Sequence, residues 1–172
     1  MKKVLFAIAL MVIGQTLTAQ NDAITKYFDQ YKDDSNFTIV NISPKLFEMI
    51  ANMAQEEIDD DEVLEMIKEM KGLKVLKTEV EPMKYYNEAI SKIDTKSYEE
   101  LVTVRDEDQN VKILSKDEEG GKIVNEMLII VGAEDEFVLV SIVGKLHMSK
   151  LVKLAKNMDI DGMEHLENLD RE

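Results

Sequence analysis

Residues 127–140 read MLIIVGAEDEFVLV, two apolar runs separated by a short turn that contains glycine and acidic residues. Runs of this length, rich in valine and isoleucine, are typical of β-strands. The connection Gly132–Glu136 is too short for a parallel crossover, so the two strands are predicted to be antiparallel neighbours. An antiparallel strand with one face in water alternates apolar and polar residues. These two strands do not alternate, and we therefore expect both of their faces to be covered.

The pattern of strands and short turns extends towards the N-terminus. Four strands are predicted in the C-terminal half, at Tyr98–Arg105, Val111–Leu114, Ile123–Val131 and Phe137–Val143. Short connections join them, which predicts an antiparallel meander. The first two strands alternate and place Val102, Val104, Val111 and Ile113 on one face. The cover over the last two strands is expected to come from within the chain, with the N-terminal arm or the last helix as its source and a second subunit as the alternative.

The N-terminal half reads as a mixture of strands and helices. Strands are predicted at Phe37–Ile42 and Leu73–Thr78. A first helix is predicted to begin at Ser43-Pro44. A second helix carries the apolar residues Val63, Leu64, Ile67 and Met70 and is predicted to end at Gly72. A third helix is predicted to begin at Pro82, with an apolar stripe formed by Met83, Tyr86, Ile90 and Ile93. A final helix is predicted from Ser149 to Asn157, with Leu151, Val152, Ala155 and Met158 on one face and Lys150, Lys153 and Lys156 on a basic edge.

These elements place the chain in the α+β class. The sheet is mainly antiparallel and combines the four-strand C-terminal meander with the N-terminal strands. The helices are expected to pack on one face of that sheet. The predicted organisation is a signal peptide at residues 1–19, a polar N-terminal arm or short helix at residues 20–36, and a single α+β domain at residues 37–172.

The first nineteen residues have the three parts of a secretory signal peptide. Lys2 and Lys3 form a basic start, Val4–Ile13 is an uncharged apolar run, and Ala19 offers a small residue at the cleavage point. The sequence therefore predicts export, to the periplasm or outside the cell. No cysteine follows the apolar run to carry a lipid anchor, and no later apolar run is long enough for a transmembrane helix.

Composition excludes several classes of function. The 172 residues include 21 basic and 35 acidic ones, and the net charge of −14 argues against binding to nucleic acid. The absence of cysteine excludes disulfides, thiolate nucleophiles and thiolate zinc sites. No glycine-rich phosphate loop, nucleophile elbow or His-Glu-x-x-His motif occurs, and His147 and His165 stand without a neighbouring histidine. We assign no catalytic residue and no cofactor.

Calcium is the one ligand with partial support from spacing. Asn157, Asp159, Asp161 and Gly162 match the first half of a calcium loop, but the twelfth position is Asn168 instead of a bidentate glutamate. We interpret the segment as a polar turn and predict no metal site; whether Asn157, Asp159 and Asp161 bind calcium stays open. The fragment Asp106–Asn110 is interpreted as a hairpin turn, and the acidic run between Glu56 and Glu65 as a solvated helix start.

Several of these segments together resemble a known family. They are Phe37–Met53, Gly72–Lys77, Tyr98–Arg105 and Phe137–Leu154. In their order and spacing the chain resembles the small exported proteins of Bacteroidota classed as domain of unknown function 4252. The resemblance implies export and an α+β fold, and it brings no catalytic residues. Members of that family are often lipoproteins, and this sequence departs from them because it has no cysteine.

An ample apolar core without a chemical motif favours a non-enzymatic envelope protein that binds a partner and not a substrate. We interpret it as a protein-binding or interaction module that uses its sheet or the apolar faces of its strands. The expected partner is another protein, with a homodimer as one form of that association. The alternatives are a small carboxylate-dependent hydrolase, because many acidic residues are present, and a weak calcium-binding module.

Overall fold

The computed structural model describes residues 24–56, 61–118 and 120–150, apart from the side chains of Glu56, Glu62 and Glu118. The chain is helical over residues 24–29 (α1), and 3-10 turns occupy Ala54–Glu56 and Thr95–Ser97. The other helices are α2 (Pro44–Met53), α3 (Asp61–Lys68) and α4 (Pro82–Lys92). The strands are β1 (Thr38–Ile42), β2 (Met70–Thr78), β3 (Glu99–Arg105), β4 (Gln109–Glu118), β5 (Ile123–Ala133) and β6 (Phe137–His147). The predicted signal peptide lies outside the described residues.

The six strands form one antiparallel sheet in the order β1-β2-β6-β5-β4-β3. The predicted meander is therefore confirmed, and so is the α+β class. The strands predicted from the two apolar runs, β5 and β6, are the longest, at eleven residues each. They lie side by side in the middle of the sheet, where each strand is flanked on both edges.

One face of the sheet carries the main core. Leu76, Leu128, Ile130, Phe137 and Leu139 are all 0% exposed on this face. The cover comes from within the chain: α1 contributes Ile24, Tyr27 and Phe28, and α4 contributes Tyr86, Ala89 and the following Ile93. Part of the predicted N-terminal arm is thus a helix that packs on the sheet. Of the stripe predicted for α4, Met83 is 37% exposed, whereas Ala89, outside that stripe, is fully buried.

A glycine permits α4 to approach this face closely. A Cβ atom on Gly132 would lie 2.6 Å from Cγ of Tyr86. This distance is far shorter than van der Waals contact, so any larger residue would push the tyrosine ring and α4 away from the sheet. Gly132 pairs with Phe137 across the β5–β6 hairpin, which brings the ring of Tyr86 next to the most buried part of the core.

The helices are expected on one face of the sheet, and α1 and α4 do share one face. The other pair, α2 and α3, lies on the opposite face near one end of the sheet. Phe47 of α2 and Met66 of α3 line a cavity together with Met127 of β5. Met127 precedes Leu128, which belongs to the main core, and successive residues of a strand point to opposite faces. The two helix pairs therefore sandwich the central strands.

The predicted end of the second helix is wrong. The sequence predicts Met70 on that helix and Gly72 at its end, but α3 ends at Lys68 and both residues belong to β2. The reason is pairing with a distant strand, since Met70 lies opposite Gly144 and Gly72 opposite Val143 of β6, with a register shift between the two pairs. Hydrogen bonds to β6 outweigh the local preference of glycine for a helix end.

The start of α2 agrees with the sequence in position but differs in detail. Ser43 is the N-cap residue and Pro44 occupies the first turn, as predicted. The serine side chain makes no capping hydrogen bond, so the proline is the remaining local signal for the helix start. The last predicted helix, Ser149–Asn157, lies mostly outside the described residues, but residues 148–150 are helical.

Tyrosine hydroxyl groups form hydrogen bonds between the N-terminal segment that contains α1 and helix α4. The hydroxyl of Tyr27 donates a hydrogen bond to the carbonyl oxygen of Tyr85 at 3.3 Å, and Tyr31 donates to Glu88 at 2.6 Å. Burial raises the pKa of Tyr27 to about 12, and burial together with the bond to Glu88 raises the pKa of Tyr31. Both residues are therefore held in the neutral form by the fold.

We expect the thermal stability of the protein to fall as the pH rises from about 10 to about 12. An unfolded tyrosine ionises near pH 10, so the contribution of neutral Tyr27 is complete below that pH and is lost as the pH approaches its folded pKa. Circular dichroism melts at stepped pH would measure the fall. The variant Tyr27→Phe cannot ionise at this position and should show a smaller fall. An identical fall in both proteins would contradict the prediction.

Candidate functional site

The sheet face opposite the main core carries a continuous row of β-branched residues. The strand registers align one residue from each of the six strands: Val40, Val75, Val140, Ile129, Ile113 and Val102. Neighbours in such a row are close enough to pack side by side. None of them is fully buried, and Val40 and Val102 at the two edges are each 41% exposed.

A second row runs beside the first, towards the β5–β6 hairpin. Its members are Thr38, Lys77, Val138, Val131, Val111 and Val104. Lys77 is the only charged residue in the two rows. Its Nζ atom lies 2.7 Å from Glu136 and 3.4 Å from Glu79, and its pKa is raised chiefly by the hydrogen bond to Glu136. We call the two rows together the open face.

A cavity of about 350 Å³ lies at the other end of the same face, between α2, α3 and the sheet. The helices contribute Phe47, Ile50, Met66 and Ile67. The strands contribute Met70, Met127, Ile142 and Leu146. All of these side chains are apolar, and methionine adapts its shape to irregular gaps. We call this space the α2–α3 cavity; its lining gives no polar group that could orient a polar substrate.

The outer side of α2 extends this apolar surface into solvent. Leu46, Met49, Ile50 and Met53 are 42%, 48%, 42% and 78% exposed, respectively. Their spacing puts them on one side of the helix, and Ile50 also lines the α2–α3 cavity. Exposed apolar residues scattered singly are ordinary, whereas a contiguous patch marks an interaction surface.

A buried ion pair lies on the core face of the sheet. Lys116 of β4 and Glu126 of β5 are directly opposite each other, with Nζ and Oε2 separated by 3.2 Å. The lysine Nζ also lies 4.1 Å from the ring centroid of Tyr98. Burial and the charge of Glu126 raise the pKa of Tyr98. The Tyr98 hydroxyl and Glu126 Oε1 have no hydrogen-bond partner among the described residues.

This arrangement lacks the features of an acid–base or nucleophilic pair. A general acid or base needs a carboxyl group that can exchange a proton with a substrate, but the carboxylate of Glu126 is paired with Lys116 inside the sheet. A tyrosine with a raised pKa stays protonated and is a poor nucleophile. The sequence reading missed this pair, although a glutamate inside the apolar run 123–131 was a usable signal.

Of the residues considered for metal binding, His147 is the one that the described ranges include. Nε2 of His147 lies 3.6 Å from Oε2 of Glu69, whereas His165 and the segment 157–168, with Asn157, Asp159 and Asp161, lie outside the described residues. Across residues 24–56, 61–118 and 120–150, no three histidine, aspartate or glutamate side chains are grouped so that they could hold a metal ion.

The other two acidic segments occupy ordinary positions. Residues 106–108 connect β3 to β4, and the Asp106 amide donates to the carbonyl oxygen of Gln109 at 2.9 Å. The Glu107 amide donates to Oδ1 of Asp106 at 2.6 Å, which occupies that carboxylate within the turn. In the acidic run around α3, Asp61 and Glu65 are exposed to solvent.

Comparison with known proteins gives the chain a family. None of the helices in the described ranges has the length and apolar content needed to cross a bilayer. Searches of curated proteins and of solved structures return no match. The profile of one family, described as a domain of unknown function (DUF4252), matches residues 31–154. The match covers most of the chain and confirms the resemblance drawn from the sequence, and the chain therefore belongs to the DUF4252 family.

Proposed function

We propose that the protein is an exported, non-enzymatic module that binds another protein through the open face. The row of six β-branched residues that crosses the whole sheet is the observation that supports this function. Six strands spaced about 4.8 Å apart make the row roughly 24 Å wide, wide enough for a helix or a sheet of a partner to pack on it.

Charge defines the kind of partner. The chain carries a net charge of −14, yet no acidic residue belongs to the open face. Its single lysine is already neutralised by Glu136 and Glu79. A basic protein would be attracted to the rest of the surface, whereas this face suits a partner with an apolar, uncharged surface of its own.

The test uses edge strand β3, where a charge is tolerated most easily. Val102→Lys places a charge in the row, and Thr103→Lys places the same charge on the adjacent residue, which points to the opposite face. Both proteins would be used to capture partners from an envelope extract, and a captured protein would then be purified and titrated. We expect Val102→Lys to weaken its binding at least tenfold and Thr103→Lys to leave it within about twofold, since an unpaired charge in an apolar interface is costly.

Two results would overturn this proposal. One is equal capture by the two variants, which would exclude the open face as the binding surface. The other is a wild-type protein that sediments as a strict monomer and retains no protein at all. Self-association that Val102→Lys abolishes and Thr103→Lys does not would instead identify the partner as a second copy and would support an interaction module.

Export is tested separately, by intact mass. The basic start, the apolar run and the small residue at position 19 support cleavage after Ala19. Protein recovered from its native envelope fraction should therefore lack residues 1–19. A mass that includes Met1, or recovery from the cytoplasm alone, would contradict the export part of the proposal and leave the binding face untouched.

A further inference from the structure

The α2–α3 cavity is an apolar concavity that stays open on one side. Its lining includes three methionines and has no polar side chain, so water inside it finds few hydrogen-bond partners. An empty space of about 350 Å³ would leave many dispersion contacts unmade. The protein therefore gains stability if an apolar group from elsewhere fills the cavity.

The chain itself passes the cavity at the point where β6 ends. Leu146 lines the cavity, and Glu69, which follows α3, lies 3.6 Å from His147 at the last residue of the strand. The Met148 amide then donates a hydrogen bond to the carbonyl oxygen of Lys122 at 3.2 Å, and residues 148–150 are helical. Leu151 comes only five residues after Leu146, so the described part of the chain ends within a few residues of the cavity lining.

The sequence after residue 150 suits this location in two ways. Leu151, Val152, Ala155 and Met158 recur at helical spacing and form one apolar stripe, which requires an apolar surface to cover it. Lys153 and Lys156 lie off that stripe, while the exposed residues of α3, the wall of the cavity, include Asp61 and Glu65. The exposed carboxylates in the first half of α3 are thus opposite in charge to these lysines, whereas Lys68 at its end is not.

We propose that residues 151–158 are the occupant of the α2–α3 cavity, with the apolar stripe inserted between α2, α3 and the sheet. This segment forms the missing wall and covers one end of the face, and the open face is the part that remains for a partner. The proposal concerns different residues from the proposed function, so either can fail without the other.

Because the chain contains no cysteine, engineered pairs can test this contact cleanly. Ile50→Cys, at the rim of the cavity, is combined in the full chain with Ala155→Cys on the stripe. The control combines it with Lys153→Cys, which lies about 160° around the helix from residue 155. We expect an intramolecular disulfide to form at least tenfold faster in the first pair under mild oxidation, measured as a monomer band on non-reducing gels.

Equal rates for the two pairs would overturn the proposal, and so would a first pair that links two chains, because the occupant would then be a second copy. A second measurement does not depend on disulfide geometry. Leu151→Ser should increase the fluorescence of a bound anilinonaphthalene dye several-fold by opening the cavity, and Lys153→Ser should not. Strong dye binding by the wild type, unchanged in both variants, would assign the cavity to small apolar molecules and contradict the proposal.

Discussion

Phe137→Ala is expected to lower the free energy of unfolding by about 4 kcal/mol and the melting temperature by about 10 °C. Phe137 is 0% exposed and sits at the start of β6, between Thr78 of β2 and Gly132 of β5. Its ring is 6.4 Å from that of Tyr85. Truncation leaves a cavity that the strands and the covering helices cannot close, since Gly132 offers no side chain to fill it.

The control for this prediction is the next residue along the strand. Val138→Ala removes an apolar side chain from the open face, where the residue is only partly buried, and should cost about 1 kcal/mol. Urea unfolding followed by circular dichroism would measure both variants. Similar losses for the two would mean that both faces of β6 are equally buried, and the open face would then be covered in the free protein.

The C-terminal meander could be predicted because its signals are local. Val111–Leu114, Ile123–Val131 and Phe137–Val143 are runs of β-branched and apolar residues joined by short turns, and such runs leave only antiparallel neighbours as an option. The structure keeps these strands and extends each of them. β6, for example, continues to His147, because Leu146 still pairs with Val124 across the ladder.

The errors arise where distant pairing overrides a local signal. Gly72 follows a helical pattern and resembles a helix end, but β6 lies about seventy residues further along the chain and draws Met70 and Gly72 into β2. Only part of the open face could be predicted from the sequence, for the same reason. The valines of β3 and β4 were recognised as one face, but their alignment with Val140 and Val75 depends on registers that no single strand encodes.

The ion pair in the sheet was missed for a different reason. Glu126 stands out inside an apolar run, but Lys116 lies inside a polar one and does not. Only the β4–β5 register makes them partners. Buried charges are rare unless they are paired, so a glutamate in the middle of a core strand predicts a cationic neighbour without saying which residue provides it.

Lys116→Met is therefore expected to lower the free energy of unfolding by about 3 kcal/mol. The side chains of Lys116 and Glu126 are 21% and 10% exposed, so the change leaves a carboxylate buried without its cation. It also removes the contact between the ammonium group and the Tyr98 ring.

A double variant separates this electrostatic cost from a simple loss of packing. Lys116→Met combined with Glu126→Leu removes both charges and keeps similar volumes, and such replacements of buried pairs are often neutral. We expect the double variant to unfold within about 1 kcal/mol of the wild type in urea. If it is instead as unstable as Lys116→Met alone, the lysine stem and the Tyr98 ring provide the stability, because removing the stranded carboxylate would then have restored nothing.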